Sequence, residues 1–325
     1  MNALLLTVAL GGQPAPPTTI PEMWDAWCAR CHAADGSGRI AEPTVTVEPM
    51  DFTDCTVTSP EPDADWERAI AKGGPGVGLS PQMPAFEDAL TPEQVAGFVS
   101  HIRGFCKDAG WPSGNTNFPR PILTEKAFPE NEFLILPAIS HDRDKDDVVV
   151  KALYERRFGK RSMFEIGVPA ANHGVNEIEV AVKHALLSNH TSILSLGFET
   201  AVSGDTAVFE PYVSAGAMLG DWYLQGQVKM ELPADRAKAD RAFVYNAYFG
   251  RDTSAAPTTW TIGVEINGDN RELALTPQVR KGLTGTGALA ASVGATIPIN
   301  QRQERGARWV GYLLWEYLEP WRARQ

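Results

Sequence analysis

Long apolar runs are missing from this 325-residue chain, and a membrane-spanning helix needs about 20 consecutive apolar residues. Residues 3–10, Ala-Leu-Leu-Leu-Thr-Val-Ala-Leu, are apolar for too few positions, which leaves a closed barrel as the way across a bilayer. Basic residues are outnumbered, 29 Lys and Arg against 40 Asp and Glu, and a formal charge of -11 argues against nucleic acid as a partner. Cysteine is scarce and one-sided, with all four thiols in the first 106 residues. Tyrosine is the mirror image: none occurs before Tyr154. Two halves of such different chemistry point to two domains.

At the start, residues 1–19 are expected to be a signal peptide and N-terminal segment. Ala9-Leu10-Gly11 is a passable cleavage site, but no Lys or Arg precedes the apolar run, so the segment is atypical or truncated as a signal.

The strongest local motif is Cys28-Ala29-Arg30-Cys31-His32, a C-x-x-C-H string. On one helical turn the two thiols add to the vinyl groups of a porphyrin, and the next residue ligates its iron. Half of a zinc site is the competing reading, but zinc needs two further N or S ligands at motif spacing, and Cys55 and Cys106 begin no such pair. Three helices are predicted around the motif. Pro21-Glu22 opens one, a second starts at Asp63 and ends near Gly73-Gly74, and Thr91-Pro92-Glu93-Gln94 opens the third as a capping box. Val95, Phe98, Val99, Ile102 and Phe105 follow as an apolar stripe.

Between the last two helices a Gly- and Pro-rich loop presents Met83-Pro84-Ala85-Phe86. C-x-x-C-H on the first helix, this loop and a final amphipathic helix together resemble a class I c-type cytochrome over residues 20–109. The resemblance implies one covalently attached haem c, bound through Cys28 and Cys31, with His32 and Met83 as axial iron ligands. Met50 and His101 are the rival sixth ligands. Cys55 and Cys106 form a possible disulfide in an oxidising compartment, or stay as two buried thiols.

Residues 110–130 have the composition of a Pro-rich linker. From 131 the hydrophobic period becomes two: Trp222, Leu224, Gly226 and Val228 alternate with Tyr223, Gln225, Gln227 and Lys229. Strands are predicted near 132–140, 147–158, 162–171, 176–187, 192–203, 207–218, 222–233, 241–251, 258–268, 272–283, 287–299 and 308–318. About twelve strands of some ten residues with short turns describe an antiparallel up-and-down β-barrel. A membrane barrel turns its apolar face to lipid; a soluble barrel or sandwich would turn it inward. Trp222, Tyr223, Tyr248, Phe249, Trp260, Trp309, Tyr317 and Trp321 are candidate interfacial girdles, and polar strand centres favour the membrane form.

Domain order resembles the fused cytochrome–porin family, some of whose members are proposed iron oxidases, although this barrel is shorter. Single-electron transfer at or across the outer membrane is the resulting expectation. The alternatives are a ferrous-iron oxidase and a periplasmic carrier with a soluble β-domain. A redox partner protein or a small donor such as ferrous iron is the expected counterpart. Both an 85-residue domain and a twelve-stranded barrel have radii of about 12 Å, so the helical domain belongs at the barrel mouth, on the periplasmic side. Glu165, Glu177, Glu179, Glu199, Glu210 and Glu265 are expected to line the lumen and are candidate guides for a cation.

Overall fold

A computed structural model of the chain describes residues 17–40, 44–142, 145–171, 174–175, 177–237, 239–270, 272–300 and 306–317. Most of the expected signal segment, with its cleavage site, and Trp321 lie outside the described residues.

The helical unit begins with Thr19, whose hydroxyl and Glu22 form a capping box around the first turn. From there a helical run, α1, covers 20–32: α-helical at Ile20–Met23, π-helical at Trp24–Cys28, and α-helical again at Ala29–His32. A short α2, Cys55–Thr58, precedes α3, Asp63–Gly76, and α4, Pro92–Arg103. Helix α3 bends at Gly73, where φ is +69°. A Cβ there would stand 2.7 Å from the Met83 carbonyl oxygen, so only glycine lets the Met83 loop close against the helix. Trp24, Phe52, Trp66, Ile70, Phe98, Val99 and Ile102 make the core. Cys55 and Cys106 are joined as a disulfide across 51 positions of sequence, which ties α2 to the end of α4.

The β-unit comprises twelve strands: β1 Glu132–Asp142, β2 Lys145–Phe158, β3 Ser162–Ala171, β4 Ile178–Ser188, β5 Ser192–Ser203 and β6 Thr206–Leu219. They continue as β7 Trp222–Pro233, β8 Ala242–Asp252, β9 Trp260–Gly268, β10 Leu273–Gly282, β11 Leu289–Pro298 and β12 Arg308–Glu316. A two-residue piece, Gly174–Val175, pairs with the end of β3 ahead of β4. Each strand pairs with its sequence neighbours, and β1 closes on β12, with Phe133 opposite Trp315. The result is a closed antiparallel barrel without an edge, which is the expected fold.

Which face meets lipid is plain from exposure. Ile166, Val180, Val182, Leu196, Phe198, Leu224, Ile262 and Val293 all point outward and are exposed, while the inward partners are polar or charged. Only a bilayer makes such a band favourable, and a polar interior with an apolar exterior is the pattern of an outer-membrane barrel. Outward aromatic residues stand toward both rims: Trp222, Phe249, Trp260 and Trp315 near one, Phe209, Phe243 and Trp309 near the other. Two of the expected girdle residues belong elsewhere. Tyr248 is buried in the lumen, and Tyr223 turns inward to donate to Asp252 at 2.6 Å. Both sit at inward positions of the alternation.

The helical unit seats on one rim through named contacts. Asn115 at the head of the linker holds Asp63 at 2.8 Å, Arg157 donates to the Thr56 carbonyl at 3.3 Å, and Lys160 pairs with Asp108. These contacts run from the helical unit to the linker, to the end of β2 and to the β2–β3 turn.

Candidate functional site

Two interiors hold the chemistry. In the helical unit, an apolar cavity is lined by Trp24, Trp27, Cys28, His32, Phe52, Met83 and their neighbours. His32 is placed by the helix end and by ring contacts, stacked on Phe52 with centroids 4.8 Å apart. Burial pushes its pKa down to about 4, so at neutral pH it is an uncharged imidazole, the form that ligates metals. The ring bonds the Met50 backbone, and its Nδ1 is buried with no hydrogen-bond partner. Burial, followed by the neighbouring Cys31, pushes the Cys28 thiol up to about 11.

Local backbone supports this arrangement. Ala33, next to His32, has φ +61°, the one non-glycine residue in the left-handed region among the described residues. That strain of about 1 kcal/mol or more is held by Trp24, whose indole N–H donates to the Ala33 carbonyl at 3.2 Å. A π-helical turn inside an α-helix is itself enriched at functional sites. Neither the π turn nor the strained Ala33 has a sequence signature beyond the motif it adjoins.

Of the sequence-derived residues, Cys28, His32 and Met83 meet in this cavity. Cys31 lies in the last turn of α1, half-buried and unbridged, as Cys28 is. The rivals fall outside the lining: Met50 packs on the core from its edge, and His101 lies across Trp24, with ring centroids 5.3 Å apart. An apolar cavity lined by one imidazole, one thioether and the Cys28 thiol, with Cys31 three residues on, fits the donor set of a c-type haem with His/Met ligation.

The barrel interior is of the opposite kind. Residues 110–130, read from sequence as a linker between domains, enter the lumen at the helical rim, turn near its middle and return. On the way in, Phe118 packs against Tyr223 and Arg120 reaches Glu155 at 2.7 Å. At the turn, Glu265 of β9 accepts the backbone N–H groups of Ile122, Leu123 and Thr124 at 2.9, 3.0 and 2.6 Å. On the way out, Ser195 donates to the Ala127 carbonyl at 2.6 Å, and Glu130 meets Met163 of β3. A segment without helix or strand must find partners for its backbone, and the lumen wall supplies them.

Register adds a feature invisible in the sequence. Following directly paired positions around the wall, Glu316, Glu132, Glu155, Glu165, Ala181, Glu199 and Glu210 form one continuous row across seven strands. Like charges directly opposite are destabilising, and arginine and lysine from the plug and the wall stand among the row and the carboxylates next to it. The plug supplies Arg120 to Glu132 and Glu155, and Lys126 to Glu130. The wall supplies Lys183 to Glu125, Lys151 to Glu179 and Lys229 to Glu210. Glu125, Glu155 and Glu165 offer oxygens within 4.8 Å of one another, but Arg120 and Lys183 already stand where a metal would.

The plug fills its half of the lumen. Every strand contributes an inward buried side chain at its level, among them Leu134, Glu155, Lys183, Ser214, Gln225 and Thr276, each at most 1 % exposed. The expected open, cation-guiding lumen is thus corrected at this level: Glu165 and Glu265 hold the plug or its ion network. Glu179, Glu199 and Glu210 line the remaining half beside Lys151 and Lys229.

No family model and no curated protein matches the chain. Among solved structures it is similar to the KdgM porin in complex with disordered oligogalacturonate, at 12 % identity over 57 % of this chain and 99 % of that one, TM-score 0.47. It is also similar to the NanC porin, at 9 % identity over 57 % and 100 %, TM-score 0.46. An outer membrane channel from Pseudomonas putida F1 is similar at 11 % identity over 62 % and 100 %, TM-score 0.42.

Proposed function

We propose that the chain is a monohaem c-type cytochrome anchored in the outer membrane by its own plugged barrel, passing single electrons at the membrane surface. The meeting of Cys28, His32 and Met83 in one apolar cavity carries this reading. Cys28 and Cys31 would hold the haem covalently, and His32 and Met83 would ligate its iron, supplying a one-electron centre whose potential the thioether raises relative to two imidazoles. The chain's own residues do the rest. Phe52 and Trp24 fix the imidazole, Gly73 admits the Met83 loop, and the apolar lining excludes water.

Topology supports a periplasmic placement. An even number of strands puts both ends of the barrel, and so the helical unit, at one rim. Turns at that rim have two to seven residues (159–161, 189–191, 220–221, 253–259 and 283–288), and the two longest connections, 234–241 and 299–307, are at the other rim beside shorter ones such as 204–205. Short turns mark the periplasmic side.

An oxidase of extracellular ferrous iron would need its donor to pass the plug to reach the cavity. The packing of Arg120, Glu155 and Lys183 speaks for the barrel as an anchor instead.

The test is expression of the full chain in a host that attaches c-type haem. One haem per chain that survives denaturation is expected, lost entirely in C28A/C31A. Met83→Ala should keep the haem and lose the weak near-infrared sulfur-to-iron band of the oxidised protein. Non-covalent haem, or a band that persists in Met83→Ala, would overturn the assignment of the thiols or of the sixth ligand respectively.

A further inference from the structure

The loop that carries Met83 between α3 and α4 is held on two sides. On the helical side, Gly74 donates its N–H to the Met83 carbonyl at 3.1 Å, and Leu79 donates to the Gly74 carbonyl at 2.7 Å. A Cβ on Gly74 would run into the Ser80 carbonyl oxygen, so the loop already lies as close to α3 as backbone allows. Gln82 adds a side-chain tie, accepting the Thr46 N–H at 3.0 Å and donating to the Thr44 carbonyl at 2.8 Å.

The other side is the barrel. Gly78 packs on the turn between β10 and β11, residues 283–288, where a Cβ on Gly78 would stand 3.1 Å from the Gly285 carbonyl carbon and 3.2 Å from the Thr286 nitrogen. A Cβ on Gly285 would in turn stand 3.3 Å from the Gly78 Cα and 3.4 Å from its nitrogen. Gly78 has φ +70°, so its own backbone already favours glycine. Gly285 lies outside the left-handed region, and the atoms nearest a Cβ there, from Val77 and Gly78, all belong to the loop. The turn is a stiff support: the Thr284 carbonyl accepts the Gly287 N–H at 3.1 Å, and its hydroxyl accepts the Leu289 N–H at 3.1 Å.

We propose that Gly285 and its turn position Met83 by backing the loop at Gly78, so that the barrel holds the thioether in the cavity it shares with His32. The inference rests on the cytochrome reading and adds to it a positioning residue from the other unit. Gly78 reaches Met83 through Leu79 and Ser80, because the Ser80 carbonyl accepts the Met83 N–H at 3.3 Å. Bulk at position 285 has no room to push the loop toward α3, where Gly74 already touches Ser80. It displaces the loop, and Met83 with it. An added ligand for the iron binds only where Met83 has left, so its apparent affinity follows the fraction of chains with the loop open.

Gly285→Leu and the milder Gly285→Ala test this in the full chain. In the haem-free protein, hydrogen exchange at the Gly74, Leu79 and Met83 amides should quicken about tenfold in G285L and about twofold in G285A, with the α4 amides unchanged. In the haem-loaded protein, imidazole should bind the oxidised form about tenfold more tightly in G285L, while the near-infrared sulfur-to-iron band weakens. Heat-modifiable gel mobility should match the parent's, which separates a displaced loop from a misfolded barrel; if G285L fails to fold, G285A decides alone. Exchange or imidazole affinity at the parent's value in both variants overturns the positioning role and leaves the cytochrome reading intact. Absence of covalent haem in the parent overturns both.

Discussion

The two interiors of this molecule solve opposite problems. The helical unit keeps an apolar space open beside His32; the barrel fills half of its lumen with a segment of its own chain and sets lysine and arginine among the carboxylates there. A cofactor pocket must forgo packing where the cofactor will stand, so its open space and orphaned ligands are informative. A plug must complete the hydrogen bonding of a chain that has no helix or strand of its own, so its informative feature is saturation. Glu265, with three backbone amides and a threonine hydroxyl on one carboxylate, is the clearest case.

The largest effect expected on this contrast comes from Arg120. Its guanidinium is buried between Glu132 and Glu155, with Glu125 at 3.5 Å. Arg120→Met leaves buried carboxylates facing one another, a loss of about 3–5 kcal/mol. The barrel should lose heat-modifiable gel mobility at lower temperature, and single-channel recordings in planar bilayers should show conductance that the parent lacks. A closed and equally stable R120M barrel would break the view of the plug as electrostatically held. Glu265→Leu removes the acceptor of the turn's amides and should act in the same direction at about 2–4 kcal/mol, read by the same two measurements.

On the other side of the comparison stands the disulfide. Cys55–Cys106 closes a loop across 51 positions, and the chain-entropy relation gives about 4 kcal/mol for opening it. Reduction should lower the thermal midpoint of the helical unit by circular dichroism while the barrel's gel shift stays put. If the gel shift moves as well, the seating contacts at Asp63 and Thr56 couple the units more tightly than their different interiors suggest.

How much is legible in the sequence differs by unit for a physical reason. Twelve strands follow from a period of two because each inward–outward step is local, and all twelve predicted segments overlap observed strands. The capping box at Thr91 and the C-x-x-C-H turn are local too. By contrast, the plug's partners lie up to 192 positions away, as when Tyr312 donates to the Arg120 carbonyl. No periodicity marks such a segment, and its proline content reads equally well as a linker. The glutamate row needs register, which alternation alone leaves undefined to within a slip. Tyr248 is ambiguous for a related reason: an aromatic residue near a strand end fits a girdle and a lumen equally, until the facing strand is known.

The smallest effect sharpens the comparison most. Thr91 caps α4 through its hydroxyl, which accepts the Gln94 N–H at 3.3 Å, while Gln94 Oε1 accepts the Thr91 N–H at 2.8 Å. Thr91→Ala removes the hydroxyl and costs about 1 kcal/mol, with no charge and little volume changed. Helix α4 carries Phe98 and Ile102 into the lining of the apolar cavity, so the cost should fall on the helical unit alone. The expected outcome is a lower thermal midpoint for that unit in the haem-free chain and an unaltered gel shift for the barrel. The midpoint difference should shrink when haem is attached, because ligation by His32 and Met83 adds stability to the folded form on the same core. An equal difference with and without haem would mean that the cavity is not where the cofactor's binding energy is received.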